Sequence, residues 1–288
     1  MINEDGFIER RILSNDGLSL YVRDYPGPKS GAKSPILCLG GLTRNSKDFA
    51  GLAKYWSRYR RVICPDKRGR GRSEYDPKWV NYNPQTYVED VRHIMCALGV
   101  HDSVVVGTSL GGILGMAMGT ALPGFIKALV MNDIGPEVRT DTLTDIIDYM
   151  KEPPVLSSWD EAGKHARAAF GSQIPLETDA DWVRAAKLSY IERADGKIVF
   201  DFDPNIVKPI LKDDTKVHNL WHFWGATKRL PLLVVRGGKS VILDEAQLQK
   251  MHDSHPNMQS VTVDGVGHAP SMAEPEALGA LNEFLEKY

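Results

Sequence analysis

The chain has 288 residues, 42% hydrophobic and 25% charged, the proportions of an ordinary globular protein long enough to hold one α/β domain. Those figures exclude a disordered chain, a collagen-like repeat and a disulfide-stapled miniprotein. With 37 acids against 35 bases the net charge is −2, so wholesale binding of nucleic acid is not expected.

The N-terminal run Met1-Ile2-Asn3-Glu4-Asp5 is acidic and lacks the apolar stretch of a signal peptide. Asn15-Asp16-Gly17 lies between the apolar runs Phe7–Leu13 and Leu18–Asp24, which predicts a β-hairpin. Six further short runs are rich in β-branched residues: 35–39, 61–64, 104–106, 128–131, 232–235 and 261–263. They show little polar alternation, as strands buried on both faces of a parallel sheet do. Helical patterns separate them, for example 87–98 with Val88, Val91, Met95 and Leu98 on one face. An antiparallel start followed by repeated β–α units predicts a mostly parallel, twisted α/β sheet with helices on both faces.

Cys38, Cys64 and Cys96 are spread out and read as small core residues with no metal or redox spacing. The run Arg68, Arg70, Arg72 reads as a solvated basic loop. Residues 136–225 break the strand rhythm. They are polar, helix-like and rich in aromatics: Trp159, Phe170, Trp182, Tyr190, Trp221, Phe223 and Trp224. Ninety residues are too many for an idle loop, so this segment is expected to form a helical cap over a core made of 1–135 and 226–288. No apolar stretch is long enough to span a membrane, and a cytoplasmic protein with no membrane partner is expected.

The most informative segment is Gly107-Thr108-Ser109-Leu110-Gly111, a Gly-x-Ser-x-Gly between the apolar strand at 104–106 and a helical stretch at 113–122. A tight strand-to-helix turn needs small neighbours. It lifts a serine hydroxyl above the sheet edge and aims a helix N-terminus at developing negative charge. Three other segments carry the same stamp. Gly40-Gly41-Leu42-Thr43-Arg44-Asn45 follows the third strand, Asp66-Lys67-Arg68-Gly69-Arg70-Gly71-Arg72-Ser73 follows the fourth, and Gly265-Val266-Gly267-His268-Ala269-Pro270 follows the last.

With these segments the sequence resembles the α/β-hydrolase superfamily over nearly its whole length. More loosely, the phrases Gly-Leu-Thr-Arg-Asn and Asn-Asp-Ile-Gly-Pro are similar to bacterial enol-lactonases and C–C bond hydrolases. The resemblance implies a cap inserted after strand six and an oxyanion loop at Gly40-Gly41, without the histidine that many members carry there. It also implies a catalytic histidine at His268. Serine is a poor nucleophile without a base, and of the eight histidines only His268 sits in a glycine-rich loop after an apolar strand near the C-terminus. An oxyanion formed by attack of Ser109 on a carbonyl would be held by the backbone N–H groups of Leu42 and Leu110.

The acid is less direct. Members usually carry it after strand seven in a Gly-x-x-Ser-Asp phrase, but here Gly237-Gly238-Lys239-Ser240 is followed by Val241. Asp133, after strand six, is the first substitute, or else a structural residue of its own turn. Asp244 reads as a helix N-cap and Asp264 as a turn residue. A triad without its acid is the other alternative.

Weaker patterns fall away. Gly238-Lys239-Ser240 ends like a phosphate loop, but Leu233 stands where the first glycine belongs. His218 and His222 are spaced i,i+4 without a third ligand, so no metal is expected. No Gly-x-Gly-x-x-Gly opens the first β–α unit, so no dinucleotide and no cofactor are expected. The expected activity is hydrolysis of a small ester or lactone through an acyl-enzyme. C–C cleavage of a diketone by the same residues, or a weakened ligand-binding relative, are the alternatives. Trp159, Trp182, Tyr190 and Trp224 would shape an apolar acyl site, and Arg44 would hold a substrate carboxylate. The oligomeric state is not legible.

Overall fold

The computed structural model describes residues 2–28, 33–213, 215 and 217–288; Met1, the first residue of the acidic N-terminal run, lies outside them. Strands β1 (Ile8–Leu13) and β2 (Ser19–Tyr25) form the expected antiparallel hairpin. Its turn is closed by Gly17 N–H donating to Ser14 O (3.1 Å). Then follow β3 (Ile36–Leu39), α1 (Ala50–Trp56), β4 (Val62–Pro65), α2 (Pro84–Ala97), β5 (Ser103–Thr108), α3 (Leu110–Ala121) and β6 (Ile126–Asn132).

The chain next leaves the sheet through β7 (Glu137–Arg139), α4 (Thr144–Lys151), α5 (Trp159–Phe170), α6 (Asp179–Ser189), β8 (Tyr190–Glu192), β9 (Ile198–Phe200), α7 (Lys208–Leu211), β10 (Val217–Asn219) and α8 (Trp221–Thr227). It returns with β11 (Leu232–Gly237), α9 (Glu245–Ser254), β12 (Met258–Val263) and α10 (Pro275–Glu286).

The main sheet has eight strands in the order β1-β2-β4-β3-β5-β6-β11-β12. The pairings of β1 with β2 and of β2 with β4 are antiparallel, and the rest are parallel. All eight correspond to the runs picked out in the sequence. Their lack of polar alternation has a direct cause. Along β3, Leu37 and Leu39 pack with α2 and α3 on one face, while Ile36 and Cys38 pack with α1 and α10 on the other. β5 and β11 repeat the pattern, with Val105, Leu232 and Val234 on the first face and Val104, Val106, Leu233 and Val235 on the second. Each fully buried Val or Leu contributes roughly 1.5–3 kcal/mol, so both layers are firmly fixed.

Between β6 and β11 the short strands form two separate ribbons, β7–β10 and β8–β9, neither of which joins the main sheet. Three-residue strands are too short to print a period on the sequence, and none was expected there. His218 lies in β10 and His222 in α8, so the two do not share a helix face.

Two further readings need correction. Arg68 and Arg70 are not solvated but buried, at 1% and 0% exposure. Arg68 is ringed by Asp16, Asp76 and Asp90, while Arg70 donates to Leu42 O, Arg68 O and the Tyr87 hydroxyl. Such bonds offset the cost of burying a guanidinium, although Arg70 Nη2 has no partner among the described residues. Cys96 is exposed, whereas Cys38 and Cys64 are buried. The buried stripe of α2 runs through Val88, Val91 and Met95, and Cys96 is turned about 100° from it.

Candidate active site

The carboxyl ends of β3, β4, β5, β6, β11 and β12 deliver one loop each to the same edge of the sheet, the edge where parallel α/β sheets place their ligands. Ser109 sits between β5 and α3 with φ 52° and ψ −116°, a conformation that costs a non-glycine residue free energy unless its surroundings impose it. Here they do. The Ser109 N–H donates to Asn132 O (2.9 Å), and Ser109 O accepts from Gly112 N–H (2.8 Å) as the helix begins. A Cβ on Gly111 would lie 1.9 Å from Leu39 O, and one on Gly107 would lie 2.3 Å from the Gly111 carbonyl. The turn is therefore closed to any larger residue at either position. The N-terminus of α3 opens directly behind the serine, and its partial positive charge faces the site.

His268 follows β12. Its Nε2 is 3.0 Å from Ser109 Oγ and its Nδ1 is 2.8 Å from Asp133 Oδ2. With the proton on Nδ1, the imidazole donates to the carboxylate and accepts from the serine hydroxyl. Asp133 follows β6 with φ 56° and its side chain fully buried. Its Oδ1 accepts from Gly237 N–H (2.8 Å), and its Oδ2 accepts from the Ser240 hydroxyl (2.6 Å) as well as from His268. Three hydrogen bonds thus converge on this buried carboxyl group and fix its orientation.

The Gly237–Ser240 loop thus bonds the Asp133 carboxylate, which enters from the neighbouring strand. Val241 is 54% exposed. Asp244 caps α9 by accepting from Gln247 N–H (2.7 Å), as expected, while the Gln247 side chain binds the backbone of Glu137. Asp264 is an exposed turn residue.

The loop after β3 comes close to the nucleophile: a Cβ on Gly41 would lie 3.7 Å from Ser109 Cβ. Among the described residues, neither the Leu42 nor the Leu110 amide N–H donates to another backbone or side-chain group. Beneath this loop is Lys67, 6% exposed, whose Nζ donates to Gly40 O (2.9 Å), Gly41 O (3.0 Å) and Arg44 O (3.5 Å). Burial, and after it the charge of Arg70, push the ammonium down to about 7.

Arg44 meets a carboxylate within the protein. It forms a two-pronged pair with Asp48 (2.7 Å for each prong) and donates to the Ser189 hydroxyl at the end of α6. It thus ties the β3 loop to the segment between β6 and β11, and two of its five N–H donors remain uncommitted.

Of the four aromatics named from the sequence, Tyr190 lies nearest this region. Its neighbour Ser189 binds Arg44, and its hydroxyl bonds Tyr149 (3.0 Å) and His165 Nδ1 (2.7 Å). Trp182 is buried between α5 and α6 and donates to Leu176 O (3.3 Å). Trp159 is held at the surface by Glu192 and Lys187. Trp224 donates to Ser254 and packs on His255, and its helix α8 lies along α3 near Gly119. That is ten residues, roughly 15 Å of helix, from the serine, so Trp224 is a packing residue and not a wall of the site.

Three residues of the site were not singled out from the sequence. Asn132 donates to Thr108 Oγ1 (3.2 Å) and Pro270 O (2.8 Å), joining the serine turn, the acid strand and the histidine loop. Gln173, after α5, accepts from His268 N–H through its side chain (3.3 Å), and its backbone carbonyl accepts from Gly267 N–H (2.7 Å). Lys67 is the third. Asn132 stands beside Asp133, and Lys67 within the Asp66–Ser73 segment, while nothing in the sequence flags Gln173. Among the described residues no cluster of three or more His, Cys, Asp or Glu could hold a metal, and no helix is long and apolar enough to cross a membrane.

Comparison with known proteins agrees with this geometry. A profile of the α/β-hydrolase fold matches residues 34–275. The chain is 30% identical over 261 residues to a 3-hydroxybutyrate-oligomer hydrolase of Cupriavidus necator, covering 87% of each. It is 25% identical to the 2-(acetamidomethylene)succinate hydrolase of Mesorhizobium japonicum, over 99% of this chain and 98% of that protein. The crystal structure of an α/β hydrolase from Novosphingobium aromaticivorans superposes with a TM-score of 0.91 at 36% identity, covering 98% of this chain and 99% of that one. The chain belongs to the α/β-hydrolase family and is a hydrolase.

Proposed function

We propose that this α/β-hydrolase cleaves carboxylic esters through an acyl-enzyme on Ser109. The observation that carries the reading is the unbroken path from Ser109 Oγ through His268 (3.0 Å) to the buried Asp133 (2.8 Å). Ser109 Oγ attacks the ester carbonyl carbon while His268 Nε2 takes its proton. The tetrahedral oxyanion accepts from the Leu42 and Leu110 amides, which have no other partner among the described residues, and faces the α3 N-terminus. Asp133 keeps the proton on Nδ1 and stabilises the imidazolium. Collapse breaks the C–O bond, and His268 gives its proton to the departing alkoxide. A water molecule, deprotonated by the same nitrogen, then releases the acid.

Residues 136–225 act as a lid, and the Tyr190 end of that segment, beside Arg44, faces the substrate. Short oligoesters of a hydroxy acid are the first substrate class to test, on the strength of the 30% identical relative. C–C bond cleavage by the same residues is the second reading, favoured by full-length similarity to a hydrolase of a substituted succinate.

The test is fluorophosphonate labelling read by peptide mass spectrometry, alongside turnover of p-nitrophenyl butyrate and a linear 3-hydroxybutyrate dimer. Ser109 should be the labelled residue, and Ser109→Ala should neither label nor turn over. Label on another serine, or full turnover by Ser109→Ala, would overturn the assignment. Release of two acids from the dimer, against cleavage of a diketone alone, separates the ester reading from the C–C reading.

A further inference from the structure

We infer that Lys67 is a positioning residue for the acyl-transfer step, holding the β3 loop so that the Leu42 N–H is turned toward the oxyanion. The inference rests on the Ser109 acyl-enzyme reading. Its ground is a run of three consecutive carbonyls. Gly40 O and Gly41 O accept from Lys67 Nζ (2.9 and 3.0 Å), and Leu42 O accepts from Arg70 Nε (2.8 Å). In a trans peptide the carbonyl and the following N–H point to opposite sides of the chain. With the Gly41 carbonyl held by Lys67 and, within the loop, by Arg44 N–H (3.2 Å), the Leu42 N–H is directed away from it. The loop's other flank lies against Ser109, where a Cβ on Gly41 would sit 3.7 Å from the nucleophile's Cβ.

The basic loop after β4 therefore clamps the loop after β3 from behind. The topology makes this direct, because β3 and β4 are paired parallel neighbours and their carboxyl ends emerge side by side. A buried lysine is costly, and methionine could fill much the same space, so packing alone does not account for it. The charged groups around the ammonium are Arg70 on its own loop, Asp66 beside it and Asp48 beyond the β3 loop.

The experiment uses the full-length protein. Wild type is first labelled with fluorophosphonate; if Ser109 does not label, the acyl-enzyme reading itself fails, independently of Lys67. In Lys67→Met, kcat for p-nitrophenyl butyrate should fall about 10²-fold, the scale of losing one oxyanion donor, with KM changed less than about threefold. Binding of an aliphatic trifluoromethyl ketone should weaken by the same factor as kcat. Ser109 Oγ adds to that carbonyl, its proton passes to His268, and the hemiketal carries the oxyanion. Lys67→Arg, which keeps the charge and the donors, should recover at least about tenfold of the loss. Should Lys67→Met not fold, Lys67→Gln is read by the same two measurements. Wild-type kcat in the folded variant overturns the inference. So does a loss of kcat with undiminished binding of the trifluoromethyl ketone, since the defect then lies outside the oxyanion site.

Discussion

Replacing Asp133 by Asn tests the relocated acid most sharply, because the change is isosteric and its hydrogen-bond consequences can be worked through atom by atom. The Asn carbonyl oxygen can take the Oδ1 place and keep the bond from Gly237 N–H (2.8 Å). Its NH2 group then faces the Ser240 hydroxyl and His268 Nδ1, where Oδ2 had accepted at 2.6 and 2.8 Å. Ser240 Oγ already accepts from Ile242 N–H (3.2 Å) and Leu243 N–H (3.1 Å), so it can accept from the amide only by giving up one of those bonds. His268 can accept on Nδ1 only by moving its proton to Nε2, and in that tautomer it cannot take the proton of Ser109. The fold survives and the base is lost. The expected cost is about 10⁴ in kcat, or about 5 kcal/mol, with KM nearly unchanged. The assay is steady-state hydrolysis of p-nitrophenyl butyrate after active-site titration, beside a thermal melt to show that Asp133→Asn is folded. Val241→Asp should change kcat less than about twofold, because that side chain is 54% exposed and the carboxylate site at His268 is already filled. A folded Asp133→Asn retaining a tenth of wild-type activity, or a Val241→Asp gain of an order of magnitude, would refute the reasoning.

Ser240→Ala removes one of three donors to the buried carboxylate and should lower kcat about tenfold, the cost of one charge-assisted hydrogen bond, and the same hydrolysis assay measures it. Gly111→Ala would place a carbon 1.9 Å from Leu39 O; urea denaturation should show a loss of about 3 kcal/mol or more, and a wild-type midpoint would contradict the packing. Arg68→Met leaves Asp76 and Asp90 buried without their cation and should cost about 3–5 kcal/mol by the same denaturation. The Lys67 ammonium, pushed from 10.5 to about 7, should make stability rise with pH between those values, because there the unfolded chain holds a proton that the folded chain has released. Thermal melts should therefore show the Tm of Lys67→Met relative to wild type falling as pH rises through that window.

The parts of the fold that were legible in the sequence are those with a local physical cause. The strands of the parallel sheet bury both faces and so print continuous apolar runs; Gly107 is required by its contact with Gly111 in the same turn. The strands β7 to β10 were not legible, since three residues print no period. Nor was the burial of Arg68 and Arg70. Arg68 is satisfied by Asp16, Asp76 and Asp90, and Arg70 by Leu42 O and the Tyr87 hydroxyl, partners spread along the chain, and nothing local distinguishes such a run from a solvated one. Asn132 and Gln173 act through partners 138 and 95 residues away, Pro270 and His268; Gln173 stands in no motif, and the Asn-Asp-Ile-Gly-Pro phrase does not show what Asn132 holds.

The acid lay between these cases. Its residue could be nominated, but the choice among Asp133, Asp244, Asp264 and none turns on which strand ends are adjacent. β6 and β11 are paired in parallel, with Asn132 opposite Val235, so Asp133 and Gly237 leave the sheet beside one another, about one strand spacing apart. A carboxylate can therefore reach His268 from either strand end without moving the histidine. The loop after β11 needs only to reverse its part, from carrying the acid to bonding it, and Gly237 N–H and the Ser240 hydroxyl make those bonds. On the proposed reading of Asp133 as the acid, valine at 241 is free to face solvent, because the carboxylate that orients the imidazole enters from one strand inward.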